Sequence, residues 1–166
     1  MNTQDDSLIF DFKTERSTSH WLVVNDGVMG GVSKGKISIN DSGNGLFEGF
    51  VSTENNGGFS LVKYAFSKRD VSQFTSVKLR LKGDGKLYQL RIKADQTKSF
   101  SYIHPFQTSG ALQTIMIPFH DFFASYRGSR LDIPNYDGKF MEEVSLFIGT
   151  ERSGDFTLEI ERIWMA

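Results

Sequence analysis

Cysteine is absent from the 166 residues, which excludes structural disulfides and thiolate metal sites. Long apolar runs are absent as well. No stretch approaches the roughly 20 residues that a membrane-spanning helix needs. The polar, acidic residues 1–7 lack the basic start and apolar run of a signal peptide. These absences suit a cytoplasmic protein with no membrane insertion. An excess of one charge is also missing: 19 Lys and Arg face 20 Asp and Glu, for a net charge of -1. Such a chain has no global field to gather nucleic acid, so no nucleic-acid partner is expected. A sustained 3.6-residue period is found nowhere, and only residues 70–74 and 121–126 read as short helical turns. Internal repeats, low-complexity tracts and linkers are lacking, so residues 1–166 are expected to form a single domain.

What is present points to strands. Aromatic residues make up 13% of the chain, 15 of them Phe, which favours strands and bulky sandwich cores. The 16 glycines suit a chain with many tight turns. The dominant period is two. Val77, Leu79 and Leu81 alternate with Lys78, Arg80 and Lys82, and Tyr88, Leu90 and Ile92 alternate with Gln89, Arg91 and Lys93. Residues 83–86 (Gly-Asp-Gly-Lys) form a turn signal between them, so the segment reads as a β-hairpin pairing Leu81 with Tyr88. The alternation returns at Val144, Leu146 and Ile148, and at Phe156, Leu158 and Ile160. Shorter candidates are 8–12, 36–39, 46–51, 59–66, 100–104 and 112–117. About ten strands over one domain length predict an all-β jelly-roll β-sandwich.

Few motifs carry chemistry. Gly31-Val32-Ser33-Lys34-Gly35 matches the G-x-S-x-G pattern of serine hydrolases, but that chemistry needs the serine on a strand-to-helix turn. Residues 36–39 look like a strand, so a glycine-rich turn is the expected reading. His20, His104 and His120 form no spaced ligand pair. Asp41-Ser42-Gly43-Asn44-Gly45 and Asp84-Gly85 resemble fragments of calcium loops without the spaced carboxylates and closing Glu. No catalytic residue, metal site or cofactor is predicted, and the chain is not expected to be an enzyme. On the hairpin register, Lys78, Arg80, Lys82, Arg91 and Lys93 share one basic face. That face fits an anion, RNA or an acidic partner, or it is a solvated row paired with Glu159 and Glu161 from another strand.

The most unusual segment is residues 21–33. Its Asn25-Asp26-Gly27-Val28-Met29-Gly30-Gly31-Val32-Ser33 run is denser in glycine than a simple connection needs, and at least one of Gly27, Gly30 and Gly31 is expected at positive φ. Asn25 and Asp26 suit hydrogen bonding to the loop backbone, and Met29 suits an adaptable apolar contact with the core or a partner. A second loop carries Asn55 and Asn56, and a third Arg127. Together Asn25, Asp26, Met29, Ser33, Asn55, Asn56 and Arg127 are the expected recognition edge, on the argument that binding residues concentrate on loops held by a rigid scaffold.

The same run resembles the complex I intermediate-associated protein 30 (CIA) family. The likeness continues through Asn56-Gly57-Gly58-Phe59, Gly83-Asp84-Gly85 with Tyr88, Tyr102, Pro118-Phe119 with Phe122, Arg127-Gly128, Gly149 and Gly154-Asp155-Phe156. It spans nearly the whole chain. The resemblance implies a jelly roll similar to galactose-binding domains, and a non-catalytic protein-interaction or assembly-chaperone module. The alternative is a module binding carbohydrate or another small ligand. Two positions depart from the family pattern: Leu112 stands near where a Trp is common, and Lys63 where an Arg is common.

Overall fold

The computed structural model describes residues 6–26, 31–54, 58–150 and 152–166. Among the described residues there are thirteen strands: β1 (Leu8–Asp11), β2 (Trp21–Asn25), β3 (Lys34–Ile39), β4 (Gly45–Val51), β5 (Phe59–Asp70), β6 (Ser76–Lys82), β7 (Leu87–Lys93), β8 (Ser101–Gln107), β9 (Leu112–Pro118), β10 (Phe123–Tyr126), β11 (Ser129–Arg130), β12 (Phe140–Gly149) and β13 (Gly154–Met165). One turn of helix, α1 (Phe12–Glu15), delivers the buried Phe12 ring to the core. Among the described residues no helix is long and apolar enough to cross a membrane.

The strands form two antiparallel sheets. A six-stranded sheet runs β3-β4-β13-β6-β9, with β1 also on β13, and a seven-stranded sheet runs β11-β10-β8-β7-β12-β5-β2. The inward rows of both sheets meet in one core. Val77, Leu79, Leu81, Leu158 and Ile160 come from the first sheet, and Tyr88, Leu90, Ile92, Val144 and Leu146 from the second. The period-two pattern is therefore the inside-outside alternation of a sandwich.

The expected hairpin is corrected. β6 pairs with β13 and β9, whereas β7 pairs with β12 and β8. Residues 83–86 cross from one sheet to the other. The side chain of Asp84 anchors this crossing by accepting from the Thr157 backbone N–H at 2.9 Å and from the Tyr88 hydroxyl at 3.1 Å. Apolar residues of the two strands face each other across the core instead of lying side by side. The expected basic face is thereby split: Lys78, Arg80 and Lys82 decorate the outside of the six-stranded sheet, and Arg91 and Lys93 the outside of the other.

Smaller differences have local causes. The stretch expected as a turn at 121–126 is a 3-10 turn over Phe119–Asp121 followed by β10. Asp70 closes β5, and the chain then turns with the Phe74 N–H donating to the Val71 carbonyl at 3.0 Å. β2 lay unrecognised inside the glycine-rich segment because its alternation is weak: Leu22 and Val24 are apolar yet face outward, opposite Trp21 and Val23.

Candidate functional site

Asn25 is the last residue of β2, and Asp26 follows it. The Asn25 Oδ1 accepts from the Gly35 N–H at 3.1 Å and from the Ser60 hydroxyl at 2.5 Å. Asp26 is fully buried. Its Oδ1 accepts from the Ser33 N–H at 2.9 Å; its Oδ2 accepts from the Ser33 hydroxyl at 2.5 Å and from the backbone N–H groups of Gly58 at 2.6 Å and Phe59 at 3.3 Å. Burial pushes this carboxyl up, but the donors from Ser33, Gly58 and Phe59 together outweigh burial and hold it below its ordinary value. Ser33 Oγ in turn accepts from the Ser52 N–H at 2.8 Å. These bonds tie β2 and β5 of one sheet to β3 and to the chain leaving β4 of the other.

Gly31 is not at positive φ. A Cβ there would lie 2.2 Å from the Asp26 carboxyl carbon, so close approach demands the glycine. Gly27 and Gly30, like Met29, Asn55 and Asn56, lie outside the described residues. Ser33 directly precedes the strand β3, not a helix, and its hydroxyl is engaged on both sides. His20 packs against Phe10 and Tyr64, and His104 against Phe122. Among the described residues no three acidic or histidine side chains converge as a metal site.

The Phe59 N–H held by Asp26 leads directly to the second feature. A cleft of about 740 Å3 crosses the outer face of the seven-stranded sheet from β5 to β10. Its lining includes Phe59 and Leu61 of β5, Phe147 and Gly149 of β12, Gln89 and Arg91 of β7, Ser101 and Ile103 of β8, and Phe123 and Ser125 of β10. Tyr126, Arg127, Gly128 and Arg130 form one rim. Ile103 and Ser125 point outward yet are buried, which shows that this face is cupped.

The cleft combines rings with cations. The Phe59 and Phe147 rings stack at 5.7 Å, and the Arg91 guanidinium lies 3.8 Å from the Phe147 centroid. Arg130 covers Phe123 at 4.6 Å, and Arg127 lies 5.4 Å from Tyr126. Among the described residues, no Asp or Glu lines the cleft. Burial pushes Arg91 down to about 10, so it remains charged at neutral pH. Its hydrogen bonds go to the neutral Gln89 Oε1, at 3.1 Å from Nε and 2.8 Å from Nη2. Glu143, an outward carboxylate of β12, sits 4.0 Å from Lys63 and accepts from Gln96.

Arg127 and Gly128 are the two loop residues of the β10–β11 hairpin, in which Tyr126 pairs with Ser129. Both have positive φ, 49° and 80°, as a type I′ turn requires. Asn or Gly adopts that conformation more cheaply than Arg.

The opposite outer face is different. Arg80 Nε is 3.2 Å from Glu161, which Lys13 also contacts at 2.8 Å. Glu159 accepts from the Asn40 and Asn44 amides. In the row of Lys78, Arg80 and Lys82, Arg80 is thus paired with Glu161, and Glu159 of β13 lies opposite Lys82. Leu112, one of the two departures from the family pattern, is exposed on β9. Sequence reasoning named Arg91 and Arg127 but missed Phe59, Phe147, Phe123 and Arg130 as site residues. Gly149 and Phe59 stood within the family-like motifs and were the one signal that pointed there.

These two sheets define a fold class, the jelly-roll β-sandwich. The family 11 carbohydrate-binding module from Clostridium thermocellum, solved with a β-1,3-1,4-mixed-linked tetrasaccharide, superposes with a TM-score of 0.70 over 96% of this chain and 94% of that one, at 16% identity. An agarase superposes with a TM-score of 0.63 over 96% of this chain and 24% of its own, at 11% identity. At such identities the likeness shows the fold alone. Residues 10–160 match the profile of the complex I intermediate-associated protein 30 (CIA30) family, and the chain belongs to that family. The mouse protein "Complex I intermediate-associated protein 30, mitochondrial" is 28% identical over 94% of this chain. The chain spans about half the length of that curated relative, 55%. The relative is mitochondrial by name, so the expectation of a cytoplasmic protein gains no support from it.

Proposed function

We propose that this chain is a non-catalytic protein-binding module of the assembly-factor kind, and that it holds its partner in the cleft on the seven-stranded sheet. The observation that carries the reading is the cleft itself: a cupped sheet face lined by four rings and three arginines. Aromatic and Arg side chains are the types enriched at the energetic centres of protein interfaces. The strained turn at Arg127 supports it, because backbone strain of this kind clusters at functional sites. Membership of the CIA30 family and the name of the mouse relative support a respiratory-complex assembly intermediate as the sort of partner held. On this reading Asn25, Asp26 and Ser33 position the cleft edge through Gly58 and Phe59, and do not touch the partner.

Carbohydrate binding is the second reading. It is favoured by the serine hydroxyls of the cleft and by the exposed Tyr126 ring. Against it, Arg91 and Arg130 cover the rings of Phe147 and Phe123 on which a sugar would stack. The test is affinity capture from native lysate and from a detergent-solubilised membrane fraction. Wild type is compared with Arg91→Gln/Arg127→Gln and, as control, with Lys78→Gln/Lys82→Gln on the other sheet. Loss of a co-isolated protein with the cleft variant alone is expected. Equal capture by both variants, or saturable binding of a mixed-linked tetrasaccharide at the cleft with no protein partner, overturns the reading.

A further inference from the structure

We infer that the cleft is a receptor for the carboxylate side chains of an acidic protein segment, with Arg91 as the central anchor. The inference rests on the protein-binding reading above and specifies the chemistry of the partner.

The first argument is charge. Arg91, Arg127 and Arg130 converge on a cleft without an acidic residue among those described, although the chain as a whole carries a net charge of -1. Every ion pair among the described residues lies elsewhere. The second argument is unsatisfied donors. A guanidinium has five N–H donors. Gln89 takes two of those of Arg91, and the other three have no protein acceptor among the described residues. One face of the group rests on Phe147, so these donors are held in a fixed plane beside the cleft floor. A half-buried cation without a counter-charge is unfavourable, and a bidentate carboxylate supplies both the charge and the geometry.

The third argument is the floor. Ser125 of β10 stands directly opposite Ser101 of β8, and neither hydroxyl has a protein partner among the described residues. They are donors suited to a second carboxylate or to a peptide carbonyl. The fourth argument is size. The cleft runs across five adjacent strands, β10-β8-β7-β12-β5. Four spacings of about 4.8 Å give a span of about 19 Å, which matches an extended segment of about six residues. The half-exposed rings of Phe59, Phe123 and Phe147 offer apolar contact between the charged positions.

The experiment is an NMR titration of the 15N-labelled protein that follows the Arg91 Nε–Hε resonance, identified by its absence in Arg91→Gln. The probe is a capped six-residue peptide alternating Glu and Phe. Its comparators are the same peptide with Gln for Glu, inorganic phosphate, and an oligogalacturonate. The acidic peptide is expected to shift Arg91 saturably. The Gln peptide, and Arg91→Gln with the acidic peptide, should bind at least about tenfold more weakly, and binding should fall as salt rises. Arg127→Gln, on an exposed turn that leaves the core untouched, should weaken binding in the same direction if Arg91→Gln fails to fold. Equal affinity for the two peptides overturns the inference. So does equally tight saturation by phosphate or oligogalacturonate, or a shift map centred on the six-stranded sheet. If the acidic peptide does not bind while partner capture still depends on the cleft arginines, the carboxylate chemistry falls and the protein-binding reading stands.

Discussion

Asp26 illustrates what a single residue can do when its whole hydrogen-bonding capacity is taken up inside the fold. Four donors from two segments converge on one carboxylate, so its charge is stabilised where burial alone would oppose it. Asp26→Asn replaces an acceptor with an amide whose N–H2 faces other donors. It is expected to destabilise by about 1–3 kcal/mol in urea unfolding. The pH dependence follows from the direction of the shift. The folded carboxyl titrates below its unfolded value of about 3.9, so its contribution is complete above that value and is lost as pH falls through the lower folded value. The variant should therefore lose stability at neutral pH and show a shallower acid transition below about pH 4. Unchanged acid sensitivity would contradict the role given to Asp26. Asn25 and Asp26 were legible in the sequence as residues that bind a loop backbone. Their inward direction was not, because the donors from Gly58 and Phe59 lie more than 30 positions away. Arg91 was legible as one of a row of cations. Its isolation from acidic side chains depends on the neighbours of β7, which no local pattern reports.

Elements show the same division between local and long-range information. The alternation in β6 and β7 correctly marked every inward residue, since a strand has period two whichever strand it pairs with. Partner choice was not legible: a Gly-Asp-Gly connection serves a hairpin or a crossing between sheets equally well, and here the Asp84 bond to Thr157 accompanies the crossing. Leu79 and Leu90 nevertheless sit in one core, both fully buried. Leu79→Ala and Leu90→Ala should each cost about 2–5 kcal/mol in equilibrium unfolding; a loss under about 1 kcal/mol at either position would contradict the packing. Gly149 offers a sharper test of β12. A Cβ there would meet the Phe147 ring at 2.8 Å, so the ring must turn away and carry the Arg91 stack with it. Gly149→Ala is expected to leave the melting temperature within a few degrees of wild type while weakening partner capture. Full capture with the ring displaced in the NMR spectrum would remove Phe147 from the site.

For the whole molecule, the sandwich presents two large outer faces of different character. On the six-stranded sheet, Glu159 of β13 lies opposite Lys82, and Arg80 and Lys13 are paired with Glu161. The seven-stranded sheet carries a cupped, ring-lined and cationic cleft with no acidic residue among its described lining. Membership of the CIA30 family was legible from glycine and asparagine spacing, because those residues mark backbone positions that the fold demands. The cleft was not, because its lining comes from five strands scattered between Phe59 and Gly149. The claim that this face holds the partner is tested most directly by hydrogen exchange on the isolated complex. Slowed exchange is predicted at 59–63, 99–103, 123–130 and 145–149, with 34–36, 78–82 and 114–116 unchanged. Protection confined to the second set would place the partner on the six-stranded sheet and contradict the account.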